Sequence, residues 1–459
     1  MQSQTRPKRA IVIGGSIAGL LSAKVLSDTF DEVVIIERDR IPEDAAERVG
    51  VPQSPQPHIL LTQGYRLLQE FFPGIQTDLQ QAGAVPVDWG QDFQYFVFNN
   101  WCATTSDPTD LNSFSCTRPL LESTIRKRVE QINCIDRLSP YRVEGLTGSN
   151  NRVTGVRCRR SDDKSDKQIV EADLVIDASG RSTNAPKWLS ALGAVPPEIE
   201  KVDAQLGYAT GRYRIPADWH ENWKVLLIAH QPPDMTQLGY LARVEDNELI
   251  ATLGGYCQEY PPLTQTKFVE AAKKLPDRTF YEAIAQSTPV SKIKAYRATA
   301  NRRCRYERLE TIPKGFIAIG DSVCALCPAY GQGLTTSAMS AMVLRKWLSN
   351  NQNKAQKRIQ DYEIKDFLSF QKSLAKQIKP AWDAATNNDS GFLKEMASAK
   401  GLRTHPQNLI GRLLGAYMHK LIVKTHTDSE LTVALTRITH MIDSPAKLMH
   451  PKMILKVLT

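Results

Sequence analysis

The chain has 459 residues, enough for two or three domains at ~100–200 residues each. Hydrophobic residues make up 42% and charged residues 23%, ordinary proportions for globular proteins, which exclude disordered, collagen-like and fibrous classes. With 58 Lys and Arg against 49 Asp and Glu, the net charge is +9. This charge favours binding to anionic ligands, acidic membrane surfaces or nucleic acid, but it does not distinguish between these three partner classes. Eight cysteines are too sparse for a disulfide scaffold, so we expect a reducing, cytoplasmic location.

The first residues imitate a secretory signal, because basic residues 6–9 precede the apolar run 10–23. That run carries glycines at nucleotide-binding spacing, and cleavage after it would destroy them, so we prefer the nucleotide-binding interpretation. No stretch of about 20 residues, the length that a membrane-spanning helix needs, lacks both glycine breaks and charges. We therefore expect no membrane span.

A strand–turn–helix–strand unit is predicted next. Apolar residues 10–13 form its first strand, a glycine-rich turn and a helix to Leu26 follow, and apolar residues 32–36 form its second strand. In such a unit the first N–H groups of the helix, together with its dipole, bind the diphosphate of a dinucleotide. The N-terminal segment is thus predicted to bind a dinucleotide.

Single residues of this unit fit that chemistry. Gly14 allows a tight turn, and Gly19 lets the helix pack closely on the strand. Gly15 and Ser16 let the backbone approach the diphosphate, although Ser16 replaces the usual middle glycine. Glu37, at the end of the second strand, is placed to accept hydrogen bonds from ribose hydroxyls, and its charge repels a 2′-phosphate.

FAD, NAD and NADP all use this unit, and two later segments narrow the choice. Residues 172–182 predict a buried strand that breaks into the turn Ser179-Gly180. Residues 315–321 predict another strand, which ends in Gly320-Asp321. A carboxylate just past a strand can hold a ribitol or ribose hydroxyl, and the glycines that follow let the backbone reach a flat ring.

These three segments, in this order and at these distances, resemble the FAD-dependent monooxygenases built like aromatic hydroxylases and squalene epoxidase. The resemblance covers roughly residues 8–350 and implies an α/β fold, in which a Rossmann-like FAD-binding domain carries an inserted antiparallel-sheet substrate domain and a helical C-terminal region. The expected boundaries are 1–75, 105–200 and 300–350 for the FAD-binding domain, 76–104 and 201–299 for the substrate-binding sheet domain, and 351–459 for the helical region.

The resemblance also assigns roles to residues. The turn from Gly14 to Gly19 would hold the FAD diphosphate, Glu37 the adenosine ribose, and Asp321 the ribitol. Arg118, in the helix-opening segment Thr117-Arg-Pro-Leu-Leu-Glu122, matches the family's FAD-contacting arginine. The complete set of expected cofactor-binding residues is Gly14, Gly15, Ser16, Gly19, Glu37, Arg38, Arg118, Gly180, Gly320, Asp321, Pro328, Gly331 and Gly333.

Further segments look like the bacterial polyether-type epoxidases: residues 51–53, 58–61, 72–74, 320–333 and 441–448. This resemblance implies an enzyme of secondary metabolism that epoxidises or hydroxylates a lipophilic, isoprenoid- or polyketide-like substrate with O2, through a flavin hydroperoxide. This mechanism demands no catalytic side chain. Instead, a helix is predicted from Leu334, and its first N–H groups would point toward the flavin. The loop that precedes this helix contains Pro328, Gly331, Gln332 and Gly333.

Two alternatives to the monooxygenase stay open. One is a FAD-dependent reductase or dehydrogenase that acts on carbon–carbon bonds of isoprenoids, and the other is a non-catalytic flavin-binding protein. The source of electrons is open too, either NAD(P)H or a separate flavin reductase. Hydroxylases that bind NAD(P)H directly carry Asp-Gly where this chain has Ser179-Gly180, although Asp177, two residues earlier, could replace the missing carboxylate. We expect reduction by NAD(P)H alone to be inefficient.

Several remaining features have two interpretations each. His58 would contact flavin or substrate, or would be a hydrogen-bonded structural group. Cys324 and Cys327 have redox or zinc-ligand spacing, but we expect packed thiols and no metal.

The helical C-terminal region would cap the substrate pocket or contact a membrane surface peripherally, and we favour capping. Basic clusters lack interleaved aromatic residues, so we expect no nucleic acid partner. Five aromatic residues would line the substrate site or pack in the core: Phe93, Tyr95, Phe96, Phe98 and Trp101.

Overall fold

The computed structural model describes residues 7–355, 359–402 and 409–459, and within these all side chains except those of 352–355 and 409–410. Small parts of the predicted regions 1–75 and 351–459 therefore lie outside the described residues. None of the described helices is both long and apolar enough to cross a membrane.

The secondary structure alternates strands and helices up to residue 355 and is helical afterwards. The strands are β1 Arg9–Ile13, β2 Glu32–Ile36, β3 Val85–Asp88, β4 Phe93–Val97, β5 Asn100–Trp101, β6 Asn112–Ser115, β7 Ile135–Leu138, β8 Tyr141–Gly148, β9 Val153–Arg160, β10 Lys167–Glu171, β11 Leu174–Asp177, β12 Ile199–Val202, β13 Gly207–Arg214, β14 Val225–Ile228, β15 Gln237–Val244, β16 Glu248–Gly255, β17 Thr288–Pro289, β18 Lys294–Tyr296, β19 Asn301–Cys304, β20 Phe316–Ala318 and β21 Cys324–Ala325. The helices are α1 Ile17–Leu26, α2 Thr62–Phe71, α3 Ile75–Gln81, α4 Arg118–Glu130, α5 Ala185–Ala191, α6 Gln265–Ala272, α7 Thr279–Ala285, α8 Gly333–Ala355, α9 Ile364–Ala399, α10 Leu409–Lys424, α11 Ser429–Thr439 and α12 Pro451–Leu458.

A five-stranded parallel sheet forms the first part of the molecule, with the strand order β20-β11-β1-β2-β7. Strands β1, β11 and β20 are short apolar runs that are almost entirely buried, as expected for a sheet covered by helices on both faces. Four of the five strands coincide with the runs predicted from the sequence, and β7 is an addition. All five carboxyl ends lie at one edge, where ligands bind in open parallel sheets.

A larger, mainly antiparallel sheet forms the second part, with the order β17-β13-β16-β15-β14-β4-β5 and β18 beside β13. The expected α/β fold with an antiparallel second sheet is confirmed. One pair, β4 and β14, is parallel, and β4 comes from the earlier segment of the chain. Ile75, Leu79 and Ala84 pack in the core of the parallel sheet, although the expected boundary at residue 76 assigned most of this stretch to the second sheet.

The C-terminal helices pack against both parts. Helix α9 contacts α8, β19 and β20, and the later helices have a small core of their own. The α10–α11 turn lies on the antiparallel sheet, because the Thr425 carbonyl accepts a hydrogen bond from Ala103 N (2.8 Å) and a ring nitrogen of His426 bonds to the Val97 carbonyl (3.0 Å). The region therefore covers the space between the two sheets.

His440 fastens the end of α11 to the start of α2. Its Nδ1 accepts a hydrogen bond from Thr62 N (3.2 Å), and its ring lies 4.6 Å from that of Trp89. Burial lowers the pKa of His440 to about 3, so the folded protein keeps this ring neutral well below pH 6.

We predict that His440 makes the fold lose stability as the pH falls. Between pH 7 and pH 5 the unfolded chain protonates this histidine but the folded chain does not, which costs about 2 kcal/mol. His440→Asn keeps an acceptor at the same place and does not titrate, so its urea midpoint should fall less than that of the wild type over this range. His220→Asn, at an exposed position, is the control. Equal pH dependence in wild type and His440→Asn would contradict the prediction.

Candidate functional site

A cavity of about 270 Å³ lies at the carboxyl edge of the parallel sheet. It brings together residues from the N-terminal turn, from β2, from the segment 50–59, and from the ends of β11 and β20. Of the residues predicted to bind a cofactor, those that line it are Gly14, Ser16, Glu37, Arg38, Arg118, Gly180, Asp321, Pro328, Gly331 and Gly333, and His58 lines it as well. Gly15, Gly19 and Gly320 lie behind this lining, where they set the backbone.

Two glycines of the N-terminal turn are required by close backbone approach. A Cβ atom on Gly19 would lie 1.8 Å from the carbonyl oxygen of Gly14, so α1 could not pack on β1 with any other residue there. Gly14 has φ +103°, and a Cβ atom on it would lie 2.6 Å from the carbonyl oxygen of Ala178. The first turn of α1 is thereby held against the cavity, with N–H groups that no helical carbonyl accepts.

Arg48, which the sequence analysis did not single out, lies at the centre of a buried ionic network. Its guanidinium is 3.2 Å from Glu37 and 3.3 Å from Asp39, and it donates two hydrogen bonds to Glu122. Burial alone would lower the pKa of Arg48, but the three carboxylates outweigh it and raise that pKa. The alternation of acids and arginines in residues 37–48 is the signal that could have indicated this role.

Glu122 connects this network with the glycine-rich turn. It accepts hydrogen bonds from Ser16 Oγ (2.6 Å) and from Arg118 Nη2 (3.2 Å). Burial opposes its ionisation, yet the positive charges of Arg118 and Arg48 lower the pKa of Glu122 below its ordinary value. Arg118 Nε is buried without a hydrogen-bond partner in the described part of the chain, so it remains free to donate toward the cavity.

Asp321 faces the cavity without a partner. Among the described residues nothing donates a hydrogen bond to its carboxylate, whereas the neighbouring Gly320 turn packs on α1. Burial raises the pKa of Asp321, and the positive charges of Arg181 and Arg118 partly offset the rise. A carboxylate in this situation suits a ligand that brings its own hydroxyl donors.

Asp177 does not replace the carboxylate that is missing at Ser179. One of its oxygens accepts hydrogen bonds from Ser179 N (3.0 Å) and Ser179 Oγ (2.5 Å), and the other accepts one from Thr183 Oγ1 (2.5 Å). The side chain is fully buried and does not line the cavity. At this turn the cavity is lined by Ser179 and Gly180 instead.

The loop before α8 separates the first cavity from a second one of about 1680 Å³. Gly331, with φ +64°, and Gly333 face the first cavity, whereas Tyr330 and Gln332 face the second. Helix α8 begins at Gly333, so its positive end points at the boundary between the two cavities. Ile59 lines both of them.

The second cavity lies between the antiparallel sheet and the C-terminal helices, and its lining is largely apolar. Burial lowers the pKa of His230 in its wall to about 4, and with His440 that makes two neutral histidines. Phe93, Tyr95 and Phe98 line it, whereas Phe96 and Trp101 pack in the core behind the sheet. Further lining residues are Val97, Leu227, Leu238, Tyr240, Tyr256, Pro380, Ala381, Phe392, Leu435, Ile442 and Leu448.

His58 and the cysteine pair have defined surroundings. Nδ1–H of His58 donates to the Gln56 carbonyl (2.8 Å), and burial together with the charge of Arg118 lowers the pKa of His58 to about 3. Its Nε2 is therefore a hydrogen-bond acceptor at neutral pH. Cys324 and Cys327 are buried free thiols, and burial raises the pKa of Cys324 to about 12 and that of Cys327 further. Both are poor thiolates.

Comparison with known proteins decides the family. Protein Rv3254 of Mycobacterium tuberculosis (strain ATCC 25618 / H37Rv) is 32% identical over 389 residues, which are 83% of this chain and 80% of Rv3254. The chain belongs to the family of Protein Rv3254. No protein-family model matches it.

Solved structures show the same fold at low identity. A flavoprotein/dehydrogenase from Cytophaga hutchinsonii matches with a TM-score of 0.67 and 13% identity, over 98% of each chain. The p-nitrophenol 4-monooxygenase PnpA from Pseudomonas putida DLL-E4 matches with a TM-score of 0.64 and 14% identity, over 95% of this chain and 99% of PnpA. This chain therefore has the fold of flavin-dependent monooxygenases, with a Rossmann-like sheet, a second antiparallel sheet and a helical C-terminal region.

We predict that Asp321→Ala weakens FAD binding. The purified wild type should be yellow with FAD, and removal of one charge-assisted hydrogen bond should lower its affinity roughly ten- to a hundredfold. Fluorescence titration of the cofactor-free protein with FAD measures the change. Asp163→Ala, in the exposed β9–β10 turn, is the control and should bind FAD like the wild type. A wild-type protein that takes up no FAD would contradict the assignment of this cavity.

Proposed function

We propose that the protein is a FAD-dependent monooxygenase that inserts one oxygen atom of O2 into a lipophilic small molecule by epoxidation or hydroxylation. The observation that carries this proposal is the meeting of two cavities at one loop. Gly331 and Gly333 face the first cavity, whereas Gln332 between them faces the second cavity. A cofactor ring in the first cavity and a substrate in the second would meet there.

The residues around the first cavity fit FAD. The close-packed turn at Gly14 and the free N–H groups of α1 suit a diphosphate, and Glu37 at the end of β2 suits the adenosine ribose. The unpartnered carboxylate of Asp321 suits ribitol hydroxyls. The buried, unpartnered Nε of Arg118 is a further donor for the cofactor.

The chain's own residues would bind, orient and shield the reactants. FAD, when bound, supplies the chemistry that activates O2. The positive end of α8, at Gly333, stabilises negative charge on the flavin ring. The largely apolar wall of the second cavity would exclude water and orient the substrate, and His230 and His440 in this wall are neutral. No proton transfer from a side chain is required when the substrate is an electron-rich alkene.

The large second cavity supports an isoprenoid- or polyketide-like substrate. Its volume of about 1680 Å³ exceeds the ~300–1,000 Å³ usual for small-molecule sites. Together with the segments 51–53, 58–61 and 320–333, which resemble bacterial polyether-type epoxidases, it favours epoxidation in secondary metabolism. Peripheral membrane contact is a further proposal, supported by the exposed Leu413 on α10 and Leu455 on α12.

A FAD-dependent reductase or dehydrogenase is the second candidate, because a flavoprotein/dehydrogenase shares the fold over 98% of its chain. Oxygen uptake separates the two functions. The assay contains FAD, a reductase that supplies reduced flavin, and the molecule that copurifies with the protein and is identified by mass spectrometry. Under these conditions a monooxygenase consumes one O2 per product and adds one oxygen atom to the substrate. Product without added oxygen would support the reductase. Flavin binding without turnover of any lipid tested would support a non-catalytic protein.

We predict that NAD(P)H alone reduces the bound FAD slowly, and that a flavin reductase is the better source of electrons. Ser179 supplies no carboxylate at the turn after β11, and Asp177 is buried with both oxygens hydrogen-bonded. Stopped-flow bleaching of the flavin by NADH or NADPH, with substrate present, measures the rate, and dithionite is the control that shows the flavin is reducible. Reduction at ~1–10 s⁻¹ or faster without a partner, within ordinary turnover rates, would refute the prediction.

A further inference from the structure

A buried carboxylate on α9 contacts the loop between the two cavities. Asp389 is 1% exposed, and its Oδ1 accepts a hydrogen bond from the hydroxyl of Tyr330 (2.5 Å). Its Oδ2 accepts one from Asn301 Nδ2 (2.6 Å). Asn301 Oδ1 in turn accepts one from Cys327 N (2.7 Å). The network thus holds the loop at its start, Cys327, and again at Tyr330.

The directions of the two Asn301 hydrogen bonds are determined. A backbone N–H can only donate, so the amide oxygen of Asn301 must face Cys327, and its NH2 group must face Asp389. The Tyr330 hydroxyl can donate or accept, and it donates to the other oxygen when Asp389 is ionised. An ionised carboxylate, which accepts at both oxygens, fits this pattern.

Asp389 has no cationic partner among the described residues, so its burial is costly. Burial raises the pKa of Asp389 to about 6, while the hydrogen bonds from Tyr330 and Asn301 lower it. An uncompensated buried carboxylate contributes little to stability. The network is therefore better explained by the geometry that it imposes on the loop.

The loop has two sides, and α9 contributes to one of them. Pro328, Gly331 and Gly333 face the first cavity. Helix α9 supplies Ala381 and Phe392 to the wall of the second cavity, and Asp389 lies between these residues on the same helix. The side chain of Asp389 thus joins the wall of the second cavity to the loop beside the first cavity.

We propose that Asp389 is a positioning residue that holds residues 327–333 in the conformation needed beside the flavin, and that it couples the C-terminal helices to the cofactor site. The coupling to flavin rests on the proposed function, whereas the positioning of the loop does not.

The first test measures the loop itself. Asp389→Leu keeps the shape of the side chain but removes both acceptor oxygens, so the loop loses the hydrogen bond of Tyr330 and Asn301 loses that of its NH2 group. Hydrogen–deuterium exchange in peptides that cover residues 327–333 should become roughly tenfold faster, as expected when the loop loses about one hydrogen bond. Asp383→Leu, on the same helix and paired with Lys379 at the surface, is the control and should leave the exchange unchanged.

The second test is an exchange of the two groups. In the double variant Asp389→Asn/Asn301→Asp, the carboxylate at position 301 accepts from Cys327 N and from the amide at position 389, whose oxygen accepts from Tyr330. All three hydrogen bonds return with the charge moved to the other residue. The double variant should show the slow exchange of the wild type and most of the FAD affinity that Asp389→Leu loses, a loss that we expect to be about tenfold.

Each outcome decides the proposal. If exchange in Asp389→Leu equals that of the wild type, or if the folded double variant shows neither slow exchange nor wild-type affinity, the proposal is wrong. Should Asp389→Leu fail to fold, Tyr330→Phe removes only the hydrogen bond between the loop and Asp389 and must show the same faster exchange. Wild-type exchange in Tyr330→Phe overturns the proposal. A wild type that binds no FAD would refute the proposed function, while the exchange data would still test the positioning of the loop.

Discussion

The contact between Gly19 and the carbonyl of Gly14 determines where the rest of the first cavity lies. Only a hydrogen on Cα fits there, because a Cβ atom would lie 1.8 Å from the oxygen. The contact presses α1 on β1 and brings the first turn of the helix to the carboxyl edge of the parallel sheet. Since β11 and β20 end at the same edge, the turns at Gly180 and Asp321 meet that helix. The cavity follows from this one close approach and from the parallel strand order.

The acidic residues around the cavity fall into two groups, and their partners distinguish them. Glu37, Asp39 and Glu122 share the guanidinium of Arg48, so their charges are compensated inside the protein. Asp321 faces the cavity with no hydrogen bond from the described residues. The first group is held by internal partners, although Glu37 also lines the cavity, so both Glu37 and the unpartnered Asp321 can meet a ligand there.

The second cavity shows why the helical C-terminal region belongs to the site. The antiparallel sheet supplies one wall and α9 to α11 supply the other, so neither part encloses a ligand alone. Hydrogen bonds attach this cover to the rest of the molecule, among them those of His440 to α2, of His426 to β4, and of Asp389 to the loop before α8. This geometry fits the interpretation that the C-terminal region caps the substrate pocket.

The sequence by itself determined the parts that depend on local signals. Four buried strands, the glycine turn, the acid after β2 and the loop before α8 are short patterns whose spacing reflects backbone geometry. The rule that carboxyl ends of parallel strands meet then predicted which turns come together. Only the tertiary structure decided how side chains distant in the chain pair. It placed Arg48 among three acids, enclosed Asp177, and joined Tyr330 to Asp389 across 59 residues. These pairings depend on the packing of whole elements, and no local pattern of residue types encodes them.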